Sequence, residues 1–350
     1  MIPPLLRANS GERPLRILLI GGIYGAVGAQ AQRETPETTL EAGLIARGAQ
    51  VSAGPHNWEV RRRQWDVVHV HHLAHQAIVQ SLMRSGSRVA FTRHGIHQGS
   101  HTRRAALELI YRRADAVVVL SEAERDLLGH RVPRDRVACI PNGIDAVSWP
   151  YVERKPPGPG QPWNLLFVGQ LLAIKNVDVL LRAVAGLGPD VPVRLDLVYD
   201  NDAQAPELRR LAAALGVKDR VTFIGHVDRV DLPSYYAQAH ALVLPSQSEA
   251  LPSVITEAAL SGVPVIASAV GGVPEQLDGH GVLVAPGDVG GLARAIAATC
   301  CTYDDAIGRA ALAAARVRAR YTVDAMVDGH LALYRQVLAR PRRGLLEGGR

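Results

Sequence analysis

The chain has 350 residues, of which 47% are hydrophobic and 21% charged. The length suits two ordinary α/β domains or one large one, and the composition is that of a globular protein able to bury a real core. The formal charge of +6 and the pI near 9.5 come mainly from arginine; they suit phosphate-bearing ligands or an anionic surface, but no zinc-finger, RNA-binding or helix-turn-helix pattern accompanies them, so nucleic acid is not an expected partner.

The three cysteines, Cys139, Cys300 and Cys301, form no CxxC pair. They read as buried thiols of a reducing compartment, not as a disulfide framework or a zinc site. The apolar stretch Ile2–Leu6 is too short for a signal peptide, and no run approaches the ~20 apolar residues that span a bilayer. The expected location is the cytoplasm, with peripheral contact at the inner face of a membrane left open.

In the first half, β-branched runs predict strands at Arg16–Ile20, Ala49–Ala53, Val67–His71, Val89–Thr92, Ala116–Leu120 and Val137–Ile140. Helical spacing falls between them at Pro36–Arg47, Gln76–Arg84, Thr102–Arg113 and Glu122–Leu128. Near-continuous apolar strands alternating with helices imply parallel sheets covered on both faces. Residues 153–162 hold four prolines and two glycines, which reads as a linker. The rhythm then restarts with strands at Leu165–Val168, Val193–Val198, Val221–Ile224, Ala241–Leu244, Val263–Ala267 and Val282–Val284. Helices are expected at Asn176–Gly186, Glu207–Leu215 and Ser253–Ser261, and two long ones, Tyr303–Arg320 and Val323–Leu338, close the chain. The expectation is a first domain over 1–152, a linker over 153–162 and a second domain over 163–322. The last helix, about 323–340, is expected to pack back on the first domain.

The stretch Pro245–Leu277 carries the most chemistry. A strand ends at Leu244, a loop carries Glu249, and a helix starts near Pro252 or Ser253, placing Glu257 about one turn in. The free N–H groups and dipole of such a helix start form a ready diphosphate site. Flanking carboxylates would accept hydrogen bonds from hydroxyl groups. Two glutamates eight apart mean little alone. Here they are followed by Ala258, by Gly262-Val263-Pro264-Val265, and by Gly271-Gly272 with Glu275.

In this the sequence resembles the family-4 retaining glycosyltransferases of the GT-B fold. Further matches follow in order: Asp66–His71, Thr92-Arg93-His94-Gly95, Ala114-Asp115 with Val119-Leu120-Ser121, Pro141-Asn142-Gly143-Ile144-Asp145, and Val168-Gly169-Gln170 with Lys175-Asn176. The resemblance covers residues 15 to 335. It implies two doubly wound Rossmann-like domains facing across a cleft, the first receiving the acceptor and the second binding a nucleotide-sugar. It implies that Lys175 neutralises the donor diphosphate, that Glu257 holds the ribose hydroxyls, and that Glu249 holds the transferred sugar. Leu251, Pro252, Ser253 and Val254 would present backbone groups to phosphate and sugar, Gln170 would lie beside them, and His94 would face the donor sugar and the acceptor. No cofactor or metal is implied. The acceptor would be a small molecule, a saccharide or a lipid-linked group.

This chain departs from the family pattern at several points. Gln170 stands where arginine is usual, Ala250 where glycine is, and Tyr199–Asp202 replaces a Gly-x-Gly turn. The glycines at 21, 22, 25 and 28 are spaced unlike the family's Gly-Gly; Gly22 and Gly28 fit a phosphate loop or simply a tight turn. Two alternatives stand beside glycosyl transfer: a nucleotide-sugar 2-epimerase of the same fold, and a catalytically silent sugar-nucleotide-binding partner, which the neutral Gln170 would suit.

Two other clusters carry weaker signals. His69, His71, His72 and His75 have no cysteine or acidic partner at metal-ligand spacing and read as packed or cleft-lining side chains. The helix Thr102–Arg113 carries Leu107, Ile110 and Tyr111 with four arginines. It reads as a solvated basic face, with docking on anionic lipid as the sharper alternative.

Overall fold

A computed structural model describes residues 13–21, 35–55, 65–71, 86–93 and 101–341. It divides into two compact units, residues 1–143 with 323–350 and residues 144–322.

In the first unit β1 (Arg16–Ile20), α1 (Pro36–Ala46), β2 (Gln50–Gly54), β3 (Val67–His71), β4 (Arg88–Thr92), α2 (His101–Arg113), β5 (Ala116–Val119), α3 (Glu122–Leu128) and β6 (Val137–Cys139) follow one another. The strands form one parallel sheet in the order β2-β1-β3-β4-β5-β6. Ile17–Ile20 and Val117–Val119 are fully buried, because helices cover both faces of a parallel sheet and leave no polar side to alternate with. Thr35 caps α1 in a reciprocal box with Thr38, and Pro36 opens the first turn, where its missing N–H costs nothing. The expected helix Gln76–Arg84 lies outside the described residues, as do His72, His75, His94, Gly22 and Gly28.

The closing helix Val323–Ala339 belongs to this unit. Its Met326, Val327, Leu331 and Tyr334 join Ile17, Leu19, Leu40 and Leu44 in one core. Gly43 of α1 admits it: a Cβ there would come 2.3 Å from Val327 Cγ2.

The second unit contains β7 (Trp163–Val168), α4 (Val177–Ala185), β8 (Val193–Val198), α5 (Ala205–Ala214), β9 (Val221–Gly225), α6 (Leu232–Gln238), β10 (Ala241–Leu244), α7 (Ser253–Leu260), β11 (Val265–Ser268), α8 (Val273–Leu277), β12 (Val282–Val284), α9 (Val289–Cys301) and α10 (Tyr303–Arg320). Its parallel sheet runs β12-β11-β10-β7-β8-β9. The chain therefore builds outward from β7 in one direction, then returns to β10 on its other side. Ligands of doubly wound sheets bind outside the carboxyl ends of the strands at such a reversal. Here those ends lead into Gly169–Lys175 and Pro245–Ser253.

Residues 153–162 fall within the second unit. The boundary falls earlier, between Gly143 and Ile144, and the proline-rich segment is strapped to the second unit by Arg154. That buried guanidinium donates to the carbonyls of Ala237, Ala239 and Ser261. Proline and glycine content shows that a segment is irregular; it does not show what a neighbouring arginine will bind.

The apolar side chains of α2 face the core and are not offered to a lipid surface. Ile110 and Tyr111 are in the core and Leu107 packs against it, while Thr102, Arg104, Arg112 and Arg113 are exposed. The apolar stripe serves the sheet, so a basic solvated face remains. Among the described residues no helix is long and apolar enough to cross a membrane.

Candidate functional site

The sheet reversal between β7 and β10 brings two loops together. After β7 the chain makes a short helical turn over Ala173–Lys175, which ends at Asn176 with φ +50. Asparagine tolerates this left-handed conformation better than most residues. Its side-chain Nδ2 donates to the Pro245 carbonyl at 3.2 Å, and Gln247 N donates to the Ile174 carbonyl at 2.8 Å. These two bonds lock the Lys175 turn onto the loop that carries Glu249. The Lys175 ammonium then lies 2.6 Å from Glu249 Oε1, with the carboxylate 9% exposed and the lysine 22%.

The same loop runs into α7. Leu251 and Pro252 are buried, and Ser253 and Val254 are half-buried in the first turn. Pro252 is the N-cap and offers no side-chain cap, so the first N–H groups remain for a ligand or solvent. Gln170 is exposed at the carboxyl end of β7. Its loop is backed by the segment that replaces Gly-x-Gly: Leu171 N donates to the Asn201 carbonyl at 3.2 Å, and Asp200 meets His226 Nδ1 at 2.6 Å. That carboxylate, with Asp228, raises the His226 pKa above its ordinary value.

Glu257, in α7, is buried. Tyr236 donates its hydroxyl to Oε2 at 2.8 Å, and the Arg229 guanidinium reaches Oε1 at 3.5 Å. Burial raises the Glu257 pKa, opposed by the Tyr236 hydrogen bond and the Arg229 charge. Burial also pushes the Tyr236 hydroxyl well up, helped by the neighbouring carboxylate. Trp149 completes this cluster, edge-on to Tyr236 at 5.3 Å and beneath Arg229 at 5.5 Å. Neither Arg229 nor Tyr236 stands out in the sequence, because they reach Glu257 from the β9–α6 loop and from α6.

The Gly271-Gly272 turn supports the whole segment. Gly271 has φ +53, and a Cβ there would fall 1.7 Å from the Glu249 carbonyl oxygen, so only glycine fits. Glu275 pairs with Arg320 of α10, an anchor for α8.

In the first unit His69 and His71 are packed, with ring centroids 4.3 Å apart. His69 bonds Tyr334 through Nδ1 and Thr92 through Nε2, each at 2.6 Å. Among the described residues no group of three or more His, Cys, Asp or Glu side chains is placed to hold a metal ion.

Two doubly wound units, one with an unsatisfied helix start and a lysine–glutamate pair at its sheet reversal, define a GT-B protein. The Glycosyltransferase Family 4 model matches residues 49–147 and the Glycosyl transferases group 1 model residues 162–301. A D-inositol 3-phosphate glycosyltransferase of Stackebrandtia nassauensis is 31% identical over 315 residues, covering 83% of this chain and 68% of that protein. The glycogen synthase of Mycobacterium tuberculosis is 33% identical over 254 residues, 67% of this chain, and the match spans 60% of that enzyme's length. Among solved structures, Anabaena HepE in complex with UDP superposes with a TM-score of 0.74 at 20% identity, covering 91% of this chain and 99% of that one. The chain belongs to the family-4 glycosyltransferases.

Proposed function

We propose that this chain is a retaining glycosyltransferase that moves a sugar from a nucleoside diphosphate sugar to an acceptor hydroxyl. The observation that carries the reading is the Lys175–Glu249 ion pair beside the uncapped start of α7. It places a cation, a hydroxyl-accepting carboxylate and free N–H groups at the sheet reversal, the chemistry a diphosphate-linked sugar needs. The UDP bound by the structurally similar HepE agrees with it.

In the proposed reaction the bond from the anomeric carbon to the diphosphate oxygen breaks. The acceptor oxygen bonds to the same face of that carbon, and its proton passes to the departing diphosphate. Lys175 and the N–H groups of Ser253 and Val254 oppose the charge that develops on the leaving group, so the step takes no metal. Glu249 accepts from the sugar hydroxyls, sharing its oxygens with Lys175. Glu257 accepts from the ribose hydroxyls at the oxygen that Arg229 now approaches, while Tyr236 keeps the other. His94 is assigned to the reacting sugar and acceptor. Gln170 contributes hydrogen bonds without charge, and Gly22 and Gly28 are assigned to phosphate contact. The acceptor is taken to be a soluble hydroxyl compound and the working place the cytoplasm.

Calorimetric titration with uridine, guanosine and thymidine diphosphates, followed by turnover of the matching sugar nucleotides with and without acceptors, tests this. Tight diphosphate binding with acceptor-dependent release of nucleoside diphosphate is expected. Conversion of the donor alone into its epimer would replace the reading with an epimerase, and binding with no turnover would leave a silent partner.

A further inference from the structure

The N–H groups at the start of α7 are useful only if they point at the ligand, and one buried side chain outside that helix helps to hold them. Gln276 of α8 is 2% exposed. Its Nε2 donates to the Pro252 carbonyl at 3.1 Å and to Thr256 Oγ1 at 2.6 Å. Pro252 is the N-cap of α7, and its carbonyl also accepts from Ile255 N at 3.2 Å. Carbonyl and N–H point in opposite directions across a trans peptide. A side chain that holds the Pro252 carbonyl inward therefore turns the Ser253 N–H outward.

Gln276 is the last of a series of contacts from one short segment. Gly271 lies against the Glu249 carbonyl, Gly272 N donates to the Ala250 carbonyl at 2.8 Å, and Gln276 then reaches Pro252 and Thr256. The first two contacts are backbone and would survive most substitutions at position 276. The third depends on the amide alone.

That amide is also an expensive choice for packing. Gln276 Oε1 is buried with no hydrogen-bond partner among the described residues, and a buried acceptor left unpaired disfavours the fold. Leucine or methionine would fill the same space without that defect. A half-satisfied glutamine in such a place is explained by what its donor end does.

We propose that Gln276 is a positioning residue that aims the Ser253 N–H at the donor diphosphate. The assignment rests on the donor site described under the proposed function. It adds a determinant that touches no ligand and acts through the Pro252 peptide.

Gln276→Leu is the direct test, with Gln276→Met in reserve should leucine prevent folding. Three readouts apply: thermal stability, amide exchange at Ile255–Glu257, and calorimetric affinity for uridine and guanosine diphosphates against the corresponding nucleosides. The variant's melting temperature should change little, because relief of the unpaired Oε1 offsets the donor that the buried Thr256 Oγ1 loses. Its Ile255–Glu257 amides should exchange faster, and its diphosphate affinity should fall about tenfold with nucleoside affinity unchanged, the size of one lost hydrogen bond. Unchanged exchange with an unchanged diphosphate-to-nucleoside ratio would overturn the proposal, as would a lower melting temperature with equal losses for both ligands, which marks a purely structural role. If the parent binds no nucleoside diphosphate, the donor-site reading falls by itself. Faster exchange at Ile255–Glu257 would then still support the clamp, and unchanged exchange would sink it.

Discussion

Lys175 and Glu249 are 74 residues apart in sequence, yet Nζ and Oε1 meet at 2.6 Å. The pairing means that the ammonium assigned to the diphosphate is already held in place before any donor arrives. Two backbone-anchored loops, not the ion pair itself, set that position, since Gln247 N and Asn176 Nδ2 tie the loops together on either side. Little side-chain entropy then remains to be lost on binding.

Replacing Lys175 with alanine should weaken a nucleoside diphosphate far more than a nucleoside, by about 1.5–3 kcal/mol for a lost charge-assisted contact. Titration calorimetry on both ligands decides it, and equal losses would remove Lys175 from the diphosphate site. Gln170→Arg should tighten the diphosphate.

Glu257→Ala should lower affinity for a ribonucleotide while sparing its 2′,3′-dideoxy analogue. Tyr236→Phe should cost stability instead, about 1–3 kcal/mol, because it strands a buried carboxylate oxygen without its donor. Glu249→Ala should reduce turnover and leave diphosphate affinity nearly intact. The opposite pattern between the two glutamates would exchange their roles.

Gly271→Ala should be among the most damaging single-methyl additions in the second unit. The left-handed backbone alone disfavours a Cβ by about 1–2 kcal/mol, and the Glu249 carbonyl 1.7 Å away must also move. Both melting temperature and turnover should fall. Retention of full turnover in the variant would show that Glu249 can shift without consequence.

Acid should loosen the first unit through His330. This histidine is buried, and its Nδ1 donates to the Met326 carbonyl at 2.8 Å. Burial holds its pKa down to about 4 against 6.5 for a free side chain. The unfolded chain therefore binds the extra proton between those values, so stability is full above about pH 6.5 and falls as pH drops toward 4. The loss is on the order of 3 kcal/mol. The neighbouring rings are His69 at 5.3 Å and Tyr334 at 6.0 Å, neither an anion that could offset the charge. Urea melts at pH 7 and pH 4.5 should show the loss, and His330→Leu should flatten it; an unchanged slope in the variant would assign the effect elsewhere.

The alternation of apolar runs such as Ile17–Ile20 and Ala241–Leu244 with helical segments was sufficient to read two parallel doubly wound units, because burial on both sheet faces leaves a local signature. Glu249, Glu257, Lys175 and the Gly271-Gly272 turn could be singled out because each sits in a short ordered motif; their roles stand as proposals. What each side chain touches was not legible. The tertiary structure alone joined Lys175 to Glu249, supplied Tyr236 and Arg229 to Glu257, and bound Arg154 to three carbonyls. It also turned Leu107, Ile110 and Tyr111 of α2 inward. Periodicity reveals that a helix has an apolar face, and composition reveals that a loop is irregular. Only the packed chain decides which distant residue covers that face or accepts from that loop, since such contacts depend on positions that no local pattern encodes.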